Sequence, residues 1–265
     1  MGYIGCLQKA AICCVALAAA ARSAELKPGT VQAFDDYIRR LESRLDAQLK
    51  GPVFLWSDQS PERNRRVRQA QILAESATGE NPARVPDGLI HDWIGAIFIP
   101  GATLEKVLRL VQDYDHHKDV YQPEVIGSQL VARDANDFKI HLRVLKKKVV
   151  TVVLDTDYDV HYAPAGAARW WVRSYSTRIL EVENPGKRDE RHLPAGDDHG
   201  YLWRLYSYWR YLERDGGVYM ECEAVSLTRD IPTGLGWLIG PIIRDLPRES
   251  LVNALRRTRE ALAQP

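Results

Sequence analysis

Between Asp113 and Asp119 the chain reads DYDHHKD, a concentration of carboxylate and imidazole groups of the kind that ligate a divalent cation. Adjacent histidines diverge, Lys118 sits among them, and no distant partner stands at a metal-like spacing, so no metal is assigned. The segment also follows a helix, whose C-terminal end favours cations anyway. His91 and Asp92 neighbour each other within a strand and therefore point to opposite faces, which prevents them from acting as a dyad. Cys222 is a possible nucleophile, or a buried and inert thiol on the apolar side of a hairpin. Arg63, Arg65, Arg66 and Arg68 could hold phosphate, but Glu62 and Glu75 flank them and no glycine-rich cradle accompanies them. They are expected to be a solvated approach to a strand. No G-x-S-x-G elbow and no nucleotide-binding glycine motif occurs, and no cofactor is assigned.

The aromatic residues carry more information. Trp170, Trp171, Tyr175, Trp203, Tyr206, Tyr208, Trp209 and Tyr211 crowd onto late strands, with Arg173, Arg204, Arg210, Glu221 and Glu223 close by. A cavity lined by such rings with a few charged anchors is the form of an amphiphile site, and core packing is the plain alternative. The candidate ligand residues are Trp171, Arg173, Tyr175, Trp203, Tyr206, Tyr208, Trp209, Arg210, Glu221, Glu223 and Trp237. If the last hairpin's charged face is instead outward, Arg210 and Glu221 form an exposed pair of little energetic consequence.

The elements that must position these groups follow from periodicity. Residues 30–49 carry a helical stripe of Val31, Phe34, Ile38, Leu41, Leu45 and Leu49, ended by Gly51-Pro52. Its simplest partner is its own domain. From Leu89 onward the pattern is β, with a strand to Pro100, a helix capped by Thr103, and six further strands. In residues 138–144 the alternation puts Phe138, Ile140, Leu142 and Val144 on one face, and Lys139, His141 and Arg143 on the other. Asp215-Gly216 is a two-residue hairpin signal. The register it sets pairs Trp209 with Cys222, Ser207 with Ala224 and Leu205 with Ser226 on an apolar, small-residue face. Arg210 with Glu221 and Tyr208 with Glu223 fall on an aromatic and charged face. Residues 234–262 read as helical, interrupted at Pro241, with Leu251, Leu255, Thr258 and Leu262 inward. Residues 184–200 read as a long loop.

The chain has 36 Lys+Arg against 35 Asp+Glu over 265 residues, so it has no general field for nucleic acid or an anionic surface. Three of its four cysteines lie in the first fourteen residues. Lys9, the apolar run at 10–21 and ARSA at 21–24 form a secretory signal peptide pattern, so the protein is expected to be exported, to the periplasm or the medium. That segment contains Lys9 and Arg22, so its removal leaves 34 basic residues against 35 acidic ones. The mature chain has one thiol and no disulfide.

Residues 96–125, the hairpin at 200–232 and LPRESLVNAL at 246–255 together resemble the helix-grip (SRPBCC) superfamily, which includes START lipid-transfer domains and polyketide cyclases. The resemblance implies an α+β fold in which a curved antiparallel sheet of about six to seven strands wraps a long C-terminal helix, with an N-terminal helix added. Together with the signal-peptide pattern, it divides the chain into a signal peptide (1–24), a helical extension outside the resemblance (25–57) and a ligand-binding domain (58–265). It further implies a hydrophobic ligand, such as a lipid, sterol or polyketide, held in an internal cavity for transport or sensing. The apolar, Gly- and Pro-interrupted residues 234–243 are open to two roles, packing of the helix's first turns against the sheet or transient membrane contact as a lipid enters. The superfamily shares no catalytic motif that carries over to numbered positions here. A cyclase or hydrolase using cavity acid/base groups, and an interaction module built on the N-terminal helix, stay open as alternatives.

Overall fold

The computed structural model describes residues 25–147, 151–194, 196–230 and 236–263, and for 236–244 the backbone only. The proposed signal peptide and the side chain of Trp237 lie outside the described residues. Helix α1 (Pro28–Lys50) opens the chain, and a short turn leads to α2 (Pro61–Arg68). Strands β1 (Leu73–Ser76), β2 (Ala83–Val85) and β3 (Gly88–Pro100) follow, then α3 (Leu104–Gln112) and the single turn α4 (His117–Val120). The remaining strands are β4 (Val125–Asp134), β5 (Asp137–Lys147), β6 (Thr151–Pro164), β7 (Arg169–Glu183), β8 (Arg191–His192), β9 (Arg204–Arg214) and β10 (Gly217–Arg229). Helix α5 (Gly236–Leu262) closes the chain.

The seven long strands form one antiparallel sheet in the order β3-β10-β9-β7-β6-β5-β4, with short β1 and β2 on β3 and β8 on β7. This α+β architecture, a curved antiparallel sheet with a long C-terminal helix against one face, is the one the resemblance implies. The β9–β10 register is the one the Asp-Gly turn dictates: Arg210 faces Glu221, Trp209 faces Cys222 and Ser207 faces Ala224. Asp215 and Gly216 take φ of 58° and 74°, the left-handed pair that a type I′ turn requires. The β5 alternation also holds. Phe138 and Ile140 are buried, while His141 and Arg143 meet Asp157 and Asp155 on β6.

Three expectations are corrected. Residues 61–68 are a helix rather than a strand approach: Pro61 occupies its first turn, and the Ser60 hydroxyl accepts from Arg63 N at 3.4 Å. Arg63, Arg65 and Arg68 pair with Glu75, Glu62 and Asp215. The C-terminal helix runs without interruption through Pro241. Arg210 and Glu221 are not exposed, with 4% and 0% of their surface accessible, because α1 and residues 51–57 lie over that face.

The sheet therefore has two covered faces. On the inner face, α3 and the later turns of α5 bury Val107, Val111, Leu251 and Leu255 against Ile97, Ile99, Phe138, Val218, Met220 and Cys222. Helix and strand approach closely at Gly95, where a Cβ would stand 2.8 Å from Leu255 Cδ1 and 3.0 Å from Leu73 O. On the outer face, Phe34, Ile38, Leu41 and Leu45 of α1 pack against Ile90, Tyr208, Val225 and Leu227. The N-terminal stripe thus finds its surface within its own chain.

Candidate functional site

Strand alternation distributes the candidate residues between these faces. Arg173, Tyr175, Tyr206, Tyr208, Arg210, Glu221 and Glu223 lie on the outer face, where α1 and the segment after it take up their polar atoms. Tyr175 and Tyr208 donate to Glu42 at 2.5 and 3.0 Å, and Arg173 pairs with Asp46. Tyr206 packs edge-on against Phe34, with ring centroids 5.3 Å apart. Glu221 accepts the backbone N–H groups of Trp56 and Ser57 at 2.7 and 2.8 Å, with Arg210 Nε 3.7 Å away. Arg44 of α1 pairs with the fully buried Glu223. Trp203 turns to the same side and joins the Phe34–Ile38 cluster, its indole N–H donating to Asp198 at 3.1 Å. Trp171 sits under the Arg173 guanidinium, 5.1 Å from its ring centroid. The space among Leu45, Leu49, Trp171, Arg173, Tyr208 and Arg210 is about 20 Å³, enough for one water. These residues hold α1 in place, and the face they form is filled by protein.

One group that the candidate set omitted stands out beneath α1. Asp92, 2% exposed, accepts from the Tyr37 hydroxyl at 2.6 Å, and its Oδ1 has no donor. Burial and the neighbouring Glu223 push its carboxyl up to about 8. Glu223 Oε2 is likewise buried without a partner. The sheet register sets Asp92 beside Val225 and Glu223 beside Ile94, so the two carboxyls are neighbours on one face. Held protonated below that value, the Asp92 carboxyl can donate toward Glu223.

The inner face differs in character. Of the candidate set, Trp209 alone has its described side chain here, opposite Cys222. Around it Trp93, Leu205 and Ala224 are only partly buried, and so are Ser207 and Leu142. These apolar and hydroxyl side chains share the inner face, and Arg248 of α5 lies over the Trp93 ring at 5.9 Å. His91 sits at the base of this surface with no exposure, its Nε2 3.2 Å from Thr228 Oγ1 and its Nδ1 unpartnered. Burial lowers its pKa to about 4 and holds it neutral. Burial raises Cys222 well above the ordinary thiol value and Tyr158 to about 12. His91, Cys222 and Tyr158 are thus neutral near neutral pH, and all three are buried. In the DYDHHKD segment, His116 bonds Asp113 at 2.8 Å, while His117 is buried against the Val111 carbonyl at 3.2 Å. Among the described residues no group of three or more His, Cys, Asp or Glu side chains is placed to hold a metal, and no helix is long and apolar enough to cross a membrane.

The candidate residues, chosen for their rings and charges, fall mostly on the outer face, and the hairpin register groups Leu205, Ser207, Ala224 and Ser226 on the small-residue face opposite.

No protein-family model and no curated protein matches the chain. Among solved structures, it is similar to a STAR-related lipid transfer protein from Xanthomonas axonopodis at 16% identity, covering 72% of this chain and 99% of that one with a TM-score of 0.46. Human STARD10 aligns at 13% identity over 81% of this chain and 83% of its own, with a TM-score of 0.44. The Zhui aromatase/cyclase from a Streptomyces species aligns at 10% identity over 65% and 93%, with a TM-score of 0.45.

Proposed function

We propose that the protein binds a hydrophobic small molecule on the inner face of its sheet, beneath α5, and carries or senses it outside the cytoplasm. The observation that supports this most directly is the grouping on the inner face of Trp93, Leu142, Leu205, Ser207, Trp209 and Ala224, all only partly buried. On the outer face α1 occupies the sheet, and the aromatics left partly buried there, Trp171, Tyr175 and Tyr206, are engaged by Arg173, Glu42 and Phe34. Apolar side chains grouped without full burial support a ligand site rather than a finished core. The Lys9–Ala24 pattern supports an exported setting.

The test is to fill the site from the sheet. Ser207 and Ala224 are cross-strand partners on β9 and β10, both on the inner face. Ala224→Trp should abolish uptake of the neutral probe Nile red while leaving the urea midpoint within a small margin of wild type. Tyr208→Phe, on the outer face, should leave uptake unchanged. Uptake lost in Tyr208→Phe but retained in Ala224→Trp would place the ligand on the wrong side of the sheet for this reading. Native mass spectrometry of the purified protein would then identify the ligand class.

A further inference from the structure

Among the described residues, four arginines around the loop between α2 and β1 have no carboxylate partner. Arg66 Nε donates to Gln71 Oε1 at 3.0 Å, and Arg259 Nη1 donates to the Ala70 carbonyl at 2.7 Å. Arg248 Nε donates to the Ala74 carbonyl at 3.3 Å, and Arg256 Nη1 to Asn253 Oδ1 at 3.1 Å. All four acceptors are neutral, and three of them belong to residues 70–74, which brings Arg66, Arg248 and Arg259 to one loop, while Arg256 stands beside Arg248 in the adjoining groove. Their neighbours Arg63, Arg65 and Arg68 are matched to acids. Beside the loop, Ile72, Arg248, Val252, Asn253 and Arg256 line an open groove of about 340 Å³ together with Glu249, which is engaged in an interaction of its own.

Guanidinium groups that outnumber the acids beside them repel one another, and their planar forks are complementary to oxyanions that accept two hydrogen bonds at once. The groove also adjoins the proposed ligand surface, because the Arg248 guanidinium that borders it lies over the Trp93 ring. We infer that this groove is the site for a phosphate-type headgroup, that of an amphiphile whose apolar body lies along Trp93 on the inner face. The headgroup assignment rests on the ligand reading given under Proposed function. The chemistry of the groove itself is equally that of a free phosphate, and the experiment separates the two.

Calorimetric titrations of wild type and of the Arg248→Gln/Arg256→Gln double variant would use inorganic phosphate and dihexanoyl phosphatidic acid at fixed salt, with Nile red uptake followed in parallel. Both arginines are exposed, so the variant is expected to fold, with circular dichroism as the check. The expected result is phosphatidic acid binding wild type at least tenfold more tightly than phosphate, and losing at least tenfold in the double variant while Nile red uptake persists. Equal affinities for phosphate and phosphatidic acid, both lost in the variant, would overturn the headgroup assignment in favour of a free-anion site. Phosphatidic acid binding unchanged in the variant would overturn the groove and leave the apolar-ligand reading intact. Nile red excluded from wild type while phosphate binds would overturn that earlier reading and, with it, the assignment of an amphiphile.

Discussion

Replacing Asp92 by Asn should make the protein more stable than wild type at alkaline pH and change little at acidic pH. In the folded state burial and Glu223 hold the Asp92 carboxyl near 8, against 3.8 for a free aspartate. Between those two values the folded protein keeps a proton that the unfolded chain has released, so folding becomes less favourable as pH rises. The stabilisation is complete below pH 3.8 and has been lost once pH passes 8. In that window the slope approaches about 1.4 kcal/mol per pH unit, so moving from pH 5 to pH 8 costs the wild type up to about 4 kcal/mol at this one site. Asparagine is the shape of the protonated acid. Its carbonyl can accept from the Tyr37 hydroxyl, and its amide can donate toward Glu223 Oε2, which lacks a donor. The assay is urea unfolding of both proteins at pH 5, 6.5 and 8. The quantity read is the difference between them, because other titrating groups cancel in it. That difference should widen in favour of the variant by at least about 1 kcal/mol from pH 5 to pH 8, a quarter of the full linkage effect. A difference that stays flat or narrows would refute the claim that Asp92 is a proton-holding carboxyl under α1.

Glu221→Ala should be far more damaging, costing about 3–5 kcal/mol in urea unfolding, since it strands the buried Arg210 and two backbone N–H groups at once. His91, with its folded pKa lowered to about 4, contributes stability that is present above pH 6.5 and lost as pH falls toward 4. His91→Leu should therefore gain up to about 3 kcal/mol on wild type between pH 7 and pH 4.5, and an unchanged difference would show a protonated or exposed ring. Gly95→Ala should cost about 1–3 kcal/mol by driving a methyl into Leu255 and the Leu73 carbonyl, with Leu255→Ala partly restoring the loss.

What could be read from the sequence follows from how local each signal was. The Asp215-Gly216 turn fixes a pairing by backbone geometry alone, and ten further cross-strand partners follow from it residue by residue. The stripe from Phe34 to Leu45 likewise announces a buried helix face. What such signals omit is which covering element meets which face. Tyr208, Arg210, Glu221 and Glu223 have the composition of a ligand pocket because a charged helix must be received there, and receiving Glu42, Arg44 and Asp46 needs the same polar partners that an amphiphile would. Ser207 and Ala224 attract no attention on a sequence, since a small residue carries no ring or charge to single it out. Arg66 was legible as part of a basic run, but its grouping with Arg248, Arg256 and Arg259 spans nearly two hundred residues of chain and exists only once α5 is laid beside the α2–β1 loop.

The outer face also bears on where the protein can move. Glu221 is held by backbone groups of Trp56 and Ser57, Glu223 by Arg44, and Asp92 by Tyr37, so each of three buried acids on β3 and β10 draws a partner from residues 37–57. Lifting α1 would leave these carboxyls facing an apolar sheet without their donors, at a cost of several kcal/mol for each charge that stays ionised. The α1 face is consequently the rigid side of the sheet. On the inner side α5 is anchored by Leu251 and Leu255, both packed at Gly95, so this side of the sheet is held by apolar contact where the α1 side is held by buried charge.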